Sequence, residues 1–253
     1  MALFLVHLHN TGYAPSTITT YTSAIGYIHK LYEQPDPSAS FLIQKTLHAL
    51  RKNSPQVDSR LPITITILKL LIAASDTVIG HYTDRILFKC MMTVAFFGFL
   101  RIGEITVAKN KMDAITLRNI QWDASTKSFS ITLTNFKHSV PGKSHTIVLK
   151  SQTLPNPCPV TMLHNWLAIR PKIPGLLFTL SDGKGMKREW FDQNLRRCLS
   201  FCNLNTKLYK GHSFRIGAAT HASLSLGYTD SQIRLLGRWK TDAFKKYIRN
   251  PSM

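Results

Sequence analysis

Acidic residues are scarce in this chain of 253 residues. Asp and Glu together number 13 against 32 Lys and Arg, which gives a formal net charge of +19 and an isoelectric point near 10.0. A folded protein with such an excess repels itself unless it works beside a polyanion, and nucleic acid is the commonest one. An anionic membrane surface or simple solubility would also account for the charge, but nucleic acid is the favoured partner.

Long apolar segments are missing as well. The longest run, Met91–Leu100, is too short to span a bilayer, which needs roughly 20 residues. The apolar N-terminus, Met1–His7, has neither a preceding basic region nor a small-residue cleavage site, so no signal peptide is predicted. We therefore expect an intracellular protein, and a nuclear one if the source is eukaryotic.

Cysteine and metal-ligand clusters are also scarce. Four cysteines, Cys90, Cys158, Cys198 and Cys202, form no paired framework, and no His lies at zinc-ligand spacing beside the last two. We expect reduced, buried thiols. No cluster of Asp and Glu is available for the magnesium ions of a two-metal nuclease. The sequence therefore predicts neither a metal nor a cofactor.

The N-terminal part predicts a small helical domain. Pro15 opens a helix near Thr17, and a second helix runs from about Ser40 to Lys52 with Phe41 among its inward-facing residues. The polar stretch Asn53–Arg60, which contains a proline, is the best linker candidate. We expect one domain at residues 1–56 and another at 57–253.

The larger domain predicts helices with a small antiparallel sheet. Apolar periodicity indicates helices at 68–75, 84–97 and 160–169, and mostly helix from about 189. The helix at 84–97 is apolar almost all round, which predicts burial. Alternating patterns at 115–120, 128–134 and 145–149, with a polar turn at 137–143, predict three strands.

Two features of this domain involve isolated cations. Arg101 follows directly after the buried apolar helix, where an unpaired guanidinium group would be costly. A local pair with Glu104 would satisfy it. Lys137 lies in the polar turn of the predicted sheet, where a lysine is usually just solvated.

Two further features lie near the C-terminus. His212 and Arg215 are three residues apart, so on a helix they share a face. That face offers one group that titrates near neutral pH and one guanidinium that can bind a phosphate through two hydrogen bonds. Tyr247 lies among Lys245, Lys246 and Arg249, which suits a hydroxyl group that approaches a phosphate.

Together these residues suit phosphodiester transfer through a covalent intermediate. Two arginines can neutralise the charge that develops on the non-bridging oxygens in the transition state. A lysine can protonate the leaving 5′ oxygen, and a tyrosine can attack the phosphorus. Cleavage without a metal ion is the consistent chemistry.

The order Arg…Lys…His-x-x-Arg…Trp…Tyr resembles the tyrosine recombinases and integrases. The segments Gly-His-Ser-Phe-Arg-Ile-Gly-Ala-Ala-Thr and Leu-Gly-Arg-Trp-Lys-Thr-Asp-Ala-Phe-Lys-Lys-Tyr-Ile-Arg are most similar to recombinases of DIRS- and Ngaro-type retrotransposons and of cryptons. The resemblance extends from about Leu61 to Arg249. It implies a mainly α fold with a small antiparallel β-sheet (α+β), preceded by a short helical domain that clamps DNA.

The resemblance also implies a role for each residue. Arg101 and Arg215 would bind the scissile phosphate, Lys137 would be the general acid, and His212 would assist proton transfer. Glu104 would brace the site. Tyr247 would attack and leave a 3′-phosphotyrosyl bond, while several cations would contact the DNA: Lys143, Arg238, Lys245, Lys246 and Arg249. The implied partner is double-stranded DNA, bound by a tetramer across two duplexes.

Two assignments stay open at this stage. A gapless match to the family pattern puts Arg238 in the position of its usual His or Trp. Trp239 fits only if the stretch before Tyr247 is one residue shorter, and is preferred because an indole N–H can donate to a phosphate oxygen. Lys143, at the other end of the polar turn, is the alternative to Lys137 as general acid.

Two other functions compete with recombination. Type IB topoisomerases use nearly the same residue set, but generally carry Lys where this sequence has His212. A domesticated DNA-binding protein that has lost its chemistry is the second alternative. The full set of expected residue types argues against it.

Overall fold

The structure is a computed structural model that describes residues 1–53, 58–108, 114–134, 136, 142–153 and 157–249. Contacts within the chain divide it into two compact units, Met1–Asp58 and Ser59–Met253. In the described residues, the first unit is helical and the second combines helices with one small sheet.

The first unit is built from three α-helices: α1 (Ala2–Asn10), α2 (Pro15–Leu31) and α3 (Phe41–Asn53). A 3-10 turn at Pro37–Ala39 precedes α3. Pro15 occupies the first turn of α2, where its missing N–H removes no helical hydrogen bond. A small apolar core joins the three helices through Leu5, Leu8, Ile18, Ile43 and Leu47.

One residue of α3 departs from the sequence prediction. Phe41, expected to face inward, is 77% exposed. Residues two apart on an α-helix are separated by about 200° around its axis. Because Ile43 faces the core, Phe41 points away from it.

The second unit contains most of the helices. They are α4 (Ile65–Val78), α5 (Tyr82–Phe97), α6 (Ile102–Ile105), α7 (Pro159–Ile169), α8 (Arg188–Phe201), α9 (Gly211–Leu224) and α10 (Asp230–Leu236), followed by a 3-10 helix at Asp242–Tyr247. Helix α5 contacts α4, α7 and α9. Every side chain from Leu87 to Phe96 except Lys89 is buried, as the apolar sequence of this helix predicts.

The sheet has three antiparallel strands in the order β1 (Ile120–Asp123), β2 (Ser128–Leu133) and β3 (His145–Lys150). Its buried face is formed by alternate residues, with Phe129 opposite Leu149 and Ile131 opposite Ile147. The second and third strands agree with the alternation in the sequence, since period-two patterning places every other side chain on one face.

The first predicted strand is wrong in position. Residues 115–120 contain an isolated bridge between Thr116 and Leu176 and a 3-10 turn at Leu117–Asn119. The side-chain oxygen of Asn119 accepts hydrogen bonds from the backbone and hydroxyl of Thr116 at 2.8 and 2.7 Å. This side-chain cap ends the extended backbone, and the strand begins only at Ile120.

The prediction of a mainly α protein with a small antiparallel sheet is confirmed. Cys90 and Cys198 are buried, Cys158 and Cys202 are half-buried, and none forms a disulfide. Burial raises the pKa of the Cys198 thiol to about 11. Among the residues that the structure describes, no helix combines the length and apolar character that a bilayer crossing requires.

Candidate active site

Arg101 lies where the buried helix α5 gives way to α6. Phe99 adopts a left-handed backbone conformation (φ 51°) that turns the chain, and Arg101 becomes the N-cap residue of α6. Its Nη1 donates to Oε1 of Glu104 at 2.8 Å, and its backbone N–H donates to Oε2 at 2.8 Å. The local pair that the sequence suggests is formed, and it fixes the guanidinium group.

Arg215 lies on α9 with no solvent exposure. Its Nη1 donates to the carbonyl oxygen of Phe99 at 2.6 Å, and its Nη2 donates to that of Gly237. Burial, together with the charges of Arg101 and Arg238, lowers the pKa of Arg215 to about 9. Its buried Nε has no partner among the described residues. An anion beside this group would both raise that pKa and use the spare donor.

Arg238 lies inside the protein, although the family resemblance implies a contact with DNA. Its side chain is 1% exposed, and its Nη2 donates to Oε2 of Glu104 at 2.8 Å and to the carbonyl of Phe99 at 3.2 Å. Burial lowers the pKa of Arg238, and the carboxylate of Glu104 opposes that shift. Glu104 therefore joins Arg101 and Arg238 through its two oxygens.

Trp239 packs over Arg215, the second of the two arginines predicted to bind phosphate. The guanidinium carbon of Arg215 lies 4.2 Å from the centre of the Trp239 ring, which is a cation–π contact. The ring folds back over Gly237, where an added Cβ would come within 1.5 Å of it. A glycine at 237 is therefore required for the ring to reach Arg215.

Tyr247 ends the last 3-10 helix and lies between two aromatic groups. Its ring is 5.2 Å from that of Trp239 and 5.0 Å from that of His212, measured between ring centres. The hydroxyl of Thr220 donates to the backbone carbonyl of Tyr247 at 3.1 Å. Together with the contact of Trp239 and Arg215, these contacts bring His212, Arg215, Trp239 and Tyr247 to one place.

The two candidate lysines are not equally placed. Lys137, predicted as the general acid, lies outside the described residues. Lys143 is exposed and lines a concavity with Arg238, Trp239 and Lys240. The structure therefore brings Lys143 near the aromatic side of the site.

The remaining cations differ in their surroundings. Lys245 pairs with Asp230 at 3.2 Å and with Asp242 at 3.5 Å, and both carboxylates raise its pKa. Lys246 is exposed. Arg249 is half-buried, and its backbone N–H donates to the hydroxyl of Thr220 at 3.1 Å.

Sequence reasoning missed three parts of the site. The carbonyl of Phe99 accepts hydrogen bonds from two arginines, and Thr220 holds the chain at Tyr247. His145, at the start of β3, is half-buried, and its pKa is lowered by burial and by the charge of Arg238. No side-chain pattern marks a carbonyl acceptor, but His145 could have been noticed beside the basic turn.

The arrangement can hold an anion next to a phenol. Two guanidinium groups pair with the carboxylate of Glu104 and a third, that of Arg215, lies close enough to feel its charge, so the cluster of Arg101, Arg215, Arg238 and Glu104 carries a formal net charge of +2. Tyr247 stands at its edge beside His212. Within the described parts of the chain, no three His, Cys, Asp or Glu side chains are grouped in a way that could hold a metal ion.

Comparison with known proteins gives matches in structure only. No protein-family model and no curated protein matches the sequence. Among solved structures, the XerH site-specific recombinase bound to its difH substrate superposes with a TM-score of 0.62 at 13% identity, over 97% of this chain and 65% of that one. The chain thus spans just under two thirds of the XerH length.

Two other similar structures are integrases bound to DNA. A lambda integrase dimer on a COC' core site gives a TM-score of 0.66 at 12% identity, over 98% of this chain and 63% of that one. The Tn1549 transposon integrase with circular intermediate DNA gives 0.61 at 12% identity, over 99% and 80%. With its helices around one three-stranded antiparallel sheet, the chain has the fold of the tyrosine recombinase catalytic domain.

Proposed function

We propose that this protein is a site-specific DNA recombinase or integrase that cuts and rejoins strands through a 3′-phosphotyrosyl intermediate. The observation that carries the proposal is the contact of Tyr247 with His212 and Trp239, directly beside the buried Arg215. A phenol next to a buried cation with a spare donor is arranged for attack on a phosphodiester.

The proposed reaction conserves the energy of the DNA backbone. The phenolic oxygen of Tyr247 forms a bond to phosphorus while the bond to the 5′ oxygen breaks. His212 assists removal of the phenolic proton, and Lys137 donates a proton to the leaving oxygen. Arg101 and Arg215 neutralise the charge that develops on the phosphate. Attack of a 5′ hydroxyl on the phosphotyrosine reverses these steps, so resealing needs no ATP.

The partner is double-stranded DNA, which suits the formal charge of +19. Residues 1–56 form the clamping domain, and residues 57–253 the catalytic domain. Lys143, Lys246 and Arg249 contact the backbone near the site, and the working assembly is a tetramer across two duplexes. The similar structures are recombinases and integrases bound to DNA, which supports this partner.

The source of the enzyme is a mobile element of the DIRS, Ngaro or crypton type, and it acts in the nucleus of its host. Support for this finer assignment comes from the two C-terminal segments around His212 and Tyr247. Integration or excision of the element would be the biological outcome.

A nicked suicide substrate tests the chemistry. The chain is incubated with DNA containing a nick next to the cleavage position, so that the short 5′-hydroxyl fragment diffuses away and the covalent adduct accumulates. We expect an adduct on denaturing gels, formed equally well in EDTA, because the proposed groups are all side chains of the protein. A strict need for Mg²⁺ or Mn²⁺ in the cutting step would contradict the mechanism.

Strand-transfer and plasmid-relaxation assays with the same chain separate the competing functions. Joining of strands between two duplexes supports a recombinase, whereas relaxation of supercoiled plasmid without strand exchange indicates a type IB topoisomerase. DNA binding without any adduct, across a library of substrate sequences, indicates a domesticated binding protein.

A further inference from the structure

Arg238 is a buried arginine whose guanidinium group links two acceptors of the site. Its Nη2 atom donates at once to Oε2 of Glu104, at 2.8 Å, and to the carbonyl oxygen of Phe99, at 3.2 Å. The first acceptor also binds Arg101, and the second also binds Arg215. One guanidinium nitrogen therefore connects the two acceptors that hold the predicted phosphate-binding arginines.

The backbone at Arg238 contributes to the same arrangement. Its φ of 56° lies in the left-handed region, a strained conformation that a residue with a side chain keeps only where surrounding contacts hold it. The chain turns there at the end of α10, so Arg238 points inward and Trp239 folds over Arg215. The ion pair between Arg238 and Glu104 stabilises this strained backbone conformation.

We propose that Arg238 is a positioning residue that sets the geometry of the phosphate-binding arginines, rather than a residue that contacts DNA. This inference rests on the proposed function. Through Glu104 it fixes Arg101, and through the shared carbonyl of Phe99 it fixes the place of Arg215. Loss of Arg238 leaves Glu104 with one cation and lets both guanidinium groups shift. Misplacement by about 1 Å can slow an enzymatic step by on the order of 100-fold.

Burial excludes a direct role on the DNA surface. With 1% of its side chain exposed, Arg238 offers no donor to a duplex unless the site opens. Lys240, two residues later, is exposed and lines the neighbouring concavity. The two residues carry the same charge within one short segment, so Lys240 is a matched control.

The test uses the full chain and the nicked suicide substrate. Arg238→Gln, Arg238→Lys and Lys240→Gln are each assayed for DNA affinity and for the rate of adduct formation at saturating DNA. We expect Arg238→Gln to lose on the order of 100-fold in the saturated rate, with DNA affinity within about threefold of the unchanged chain. Arg238→Lys should recover part of the rate, because an ammonium group can still pair with Glu104.

Lys240→Gln should differ from Arg238→Gln in the saturated rate. It removes a charge from an exposed position, so affinity falls by a few fold at most and the saturated rate stays unchanged. If Arg238→Gln instead weakens affinity as strongly as it slows the rate, or leaves the rate unchanged, the positioning role is wrong.

A double variant tests whether Arg238 acts through its contact with Glu104. If Arg238 acts through Glu104, then Glu104→Gln and Arg238→Gln act on the same contact. Their combination should be no slower than the slower single variant. A double variant whose loss in rate equals the product of the two single losses would overturn the proposal. The circular dichroism spectrum and melting temperature of each variant confirm folding, and if Arg238→Gln fails to fold, Arg238→Met, which also lacks the ion pair, takes its place in the cycle.

The outcomes distinguish this inference from the proposed function itself. If the unchanged chain forms no adduct on any substrate, the proposed function fails. If the unchanged chain forms the adduct and the Arg238 variants form it at the same saturated rate, only the positioning role fails.

Discussion

The two units of this chain have very different surfaces. Residues 1–58 carry four Lys and Arg against three Asp and Glu, a formal charge of +1, whereas residues 59–253 carry 28 against 10, a formal charge of +18. The first unit also exposes large apolar side chains, among them Tyr27, Tyr32 and Phe41. The second unit buries three arginine side chains completely or nearly so: Arg170, Arg215 and Arg238.

This difference indicates how each unit can contribute to the proposed DNA binding. Long-range attraction to a polyanion follows from charge, so it arises almost entirely from residues 59–253. The proposed clamping by residues 1–56 must therefore rely on short-range contacts and shape rather than on net charge. A nearly neutral surface with exposed aromatic rings suits close packing better than electrostatic capture.

The largest expected effect is the loss of all chemistry through one residue of the second unit. Tyr247→Phe removes the attacking oxygen and keeps the ring that contacts His212 and Trp239. Covalent linkage on the suicide substrate should disappear, while DNA affinity stays nearly unchanged. Tyr228→Phe, also in the second unit, is the control and should form the adduct normally. A persistent adduct in Tyr247→Phe would mean that another residue is the nucleophile.

The second effect concerns the general acid. Lys137→Ala should slow cleavage by roughly 10²–10⁴, the usual range for losing proton transfer. Sulfur in place of the 5′ bridging oxygen should restore much of the rate, because a thiolate leaves without a proton. Arg101→Ala and Arg215→Ala should show little rescue, since their role is charge stabilisation. Rescue of Lys143→Ala alone would identify Lys143 as the acid.

Salt dependence tests the charge comparison directly. Each neutralised phosphate contributes about 0.9 to the slope of log affinity against log salt, and roughly six to ten contacts are expected. Lys143→Ala and Lys246→Ala should each lower the slope by about 0.9. Lys45→Ala and Lys52→Ala, both exposed in the first unit, should change it less. Equal changes in the two units would contradict the assignment of attraction to residues 59–253.

The smallest effect belongs to the exposed rings of the first unit. Phe41→Ser should change the free energy of unfolding by less than about 1 kcal/mol, because this ring is 77% exposed and lies beside the Nζ of Lys45, 5.2 Å from the ring centre. Ile43→Ala, two residues away in the core, should cost about 2–5 kcal/mol. Urea denaturation measures both. A large loss for Phe41→Ser would show that its surface is covered in solution.

The sequence predicted the fold well where periodicity was strong. The buried helix α5, the second and third strands and the helical first unit all follow from apolar spacing. The strand at 115–120 failed because Asn119 caps a turn there, a side-chain interaction that alternation does not reveal. The prediction that Phe41 faces inward was wrong because it rested on the apolar character of the side chain and not on its angular position on α3.

The residue types of the candidate site were predictable from the sequence, but the hydrogen bonds and ion pairs that join them were not. His212 and Arg215 share a helix, so their neighbourhood follows from spacing. The inward turn of Arg238 depends on a left-handed backbone conformation that no local sequence rule requires of an arginine. The two arginines meet at a carbonyl oxygen, and that meeting is decided by tertiary structure.

The carbonyl of Phe99 has a consequence for how this site could change over time. It belongs to the main chain, so replacing the side chain at 99 leaves the acceptor in place as long as the new residue tolerates a φ of 51°. Glycine and asparagine adopt such a conformation more readily than phenylalanine does. A comparison of side chains therefore does not reveal the acceptor that Arg215 and Arg238 share, and divergent sequences could keep it without any residue in common at that position.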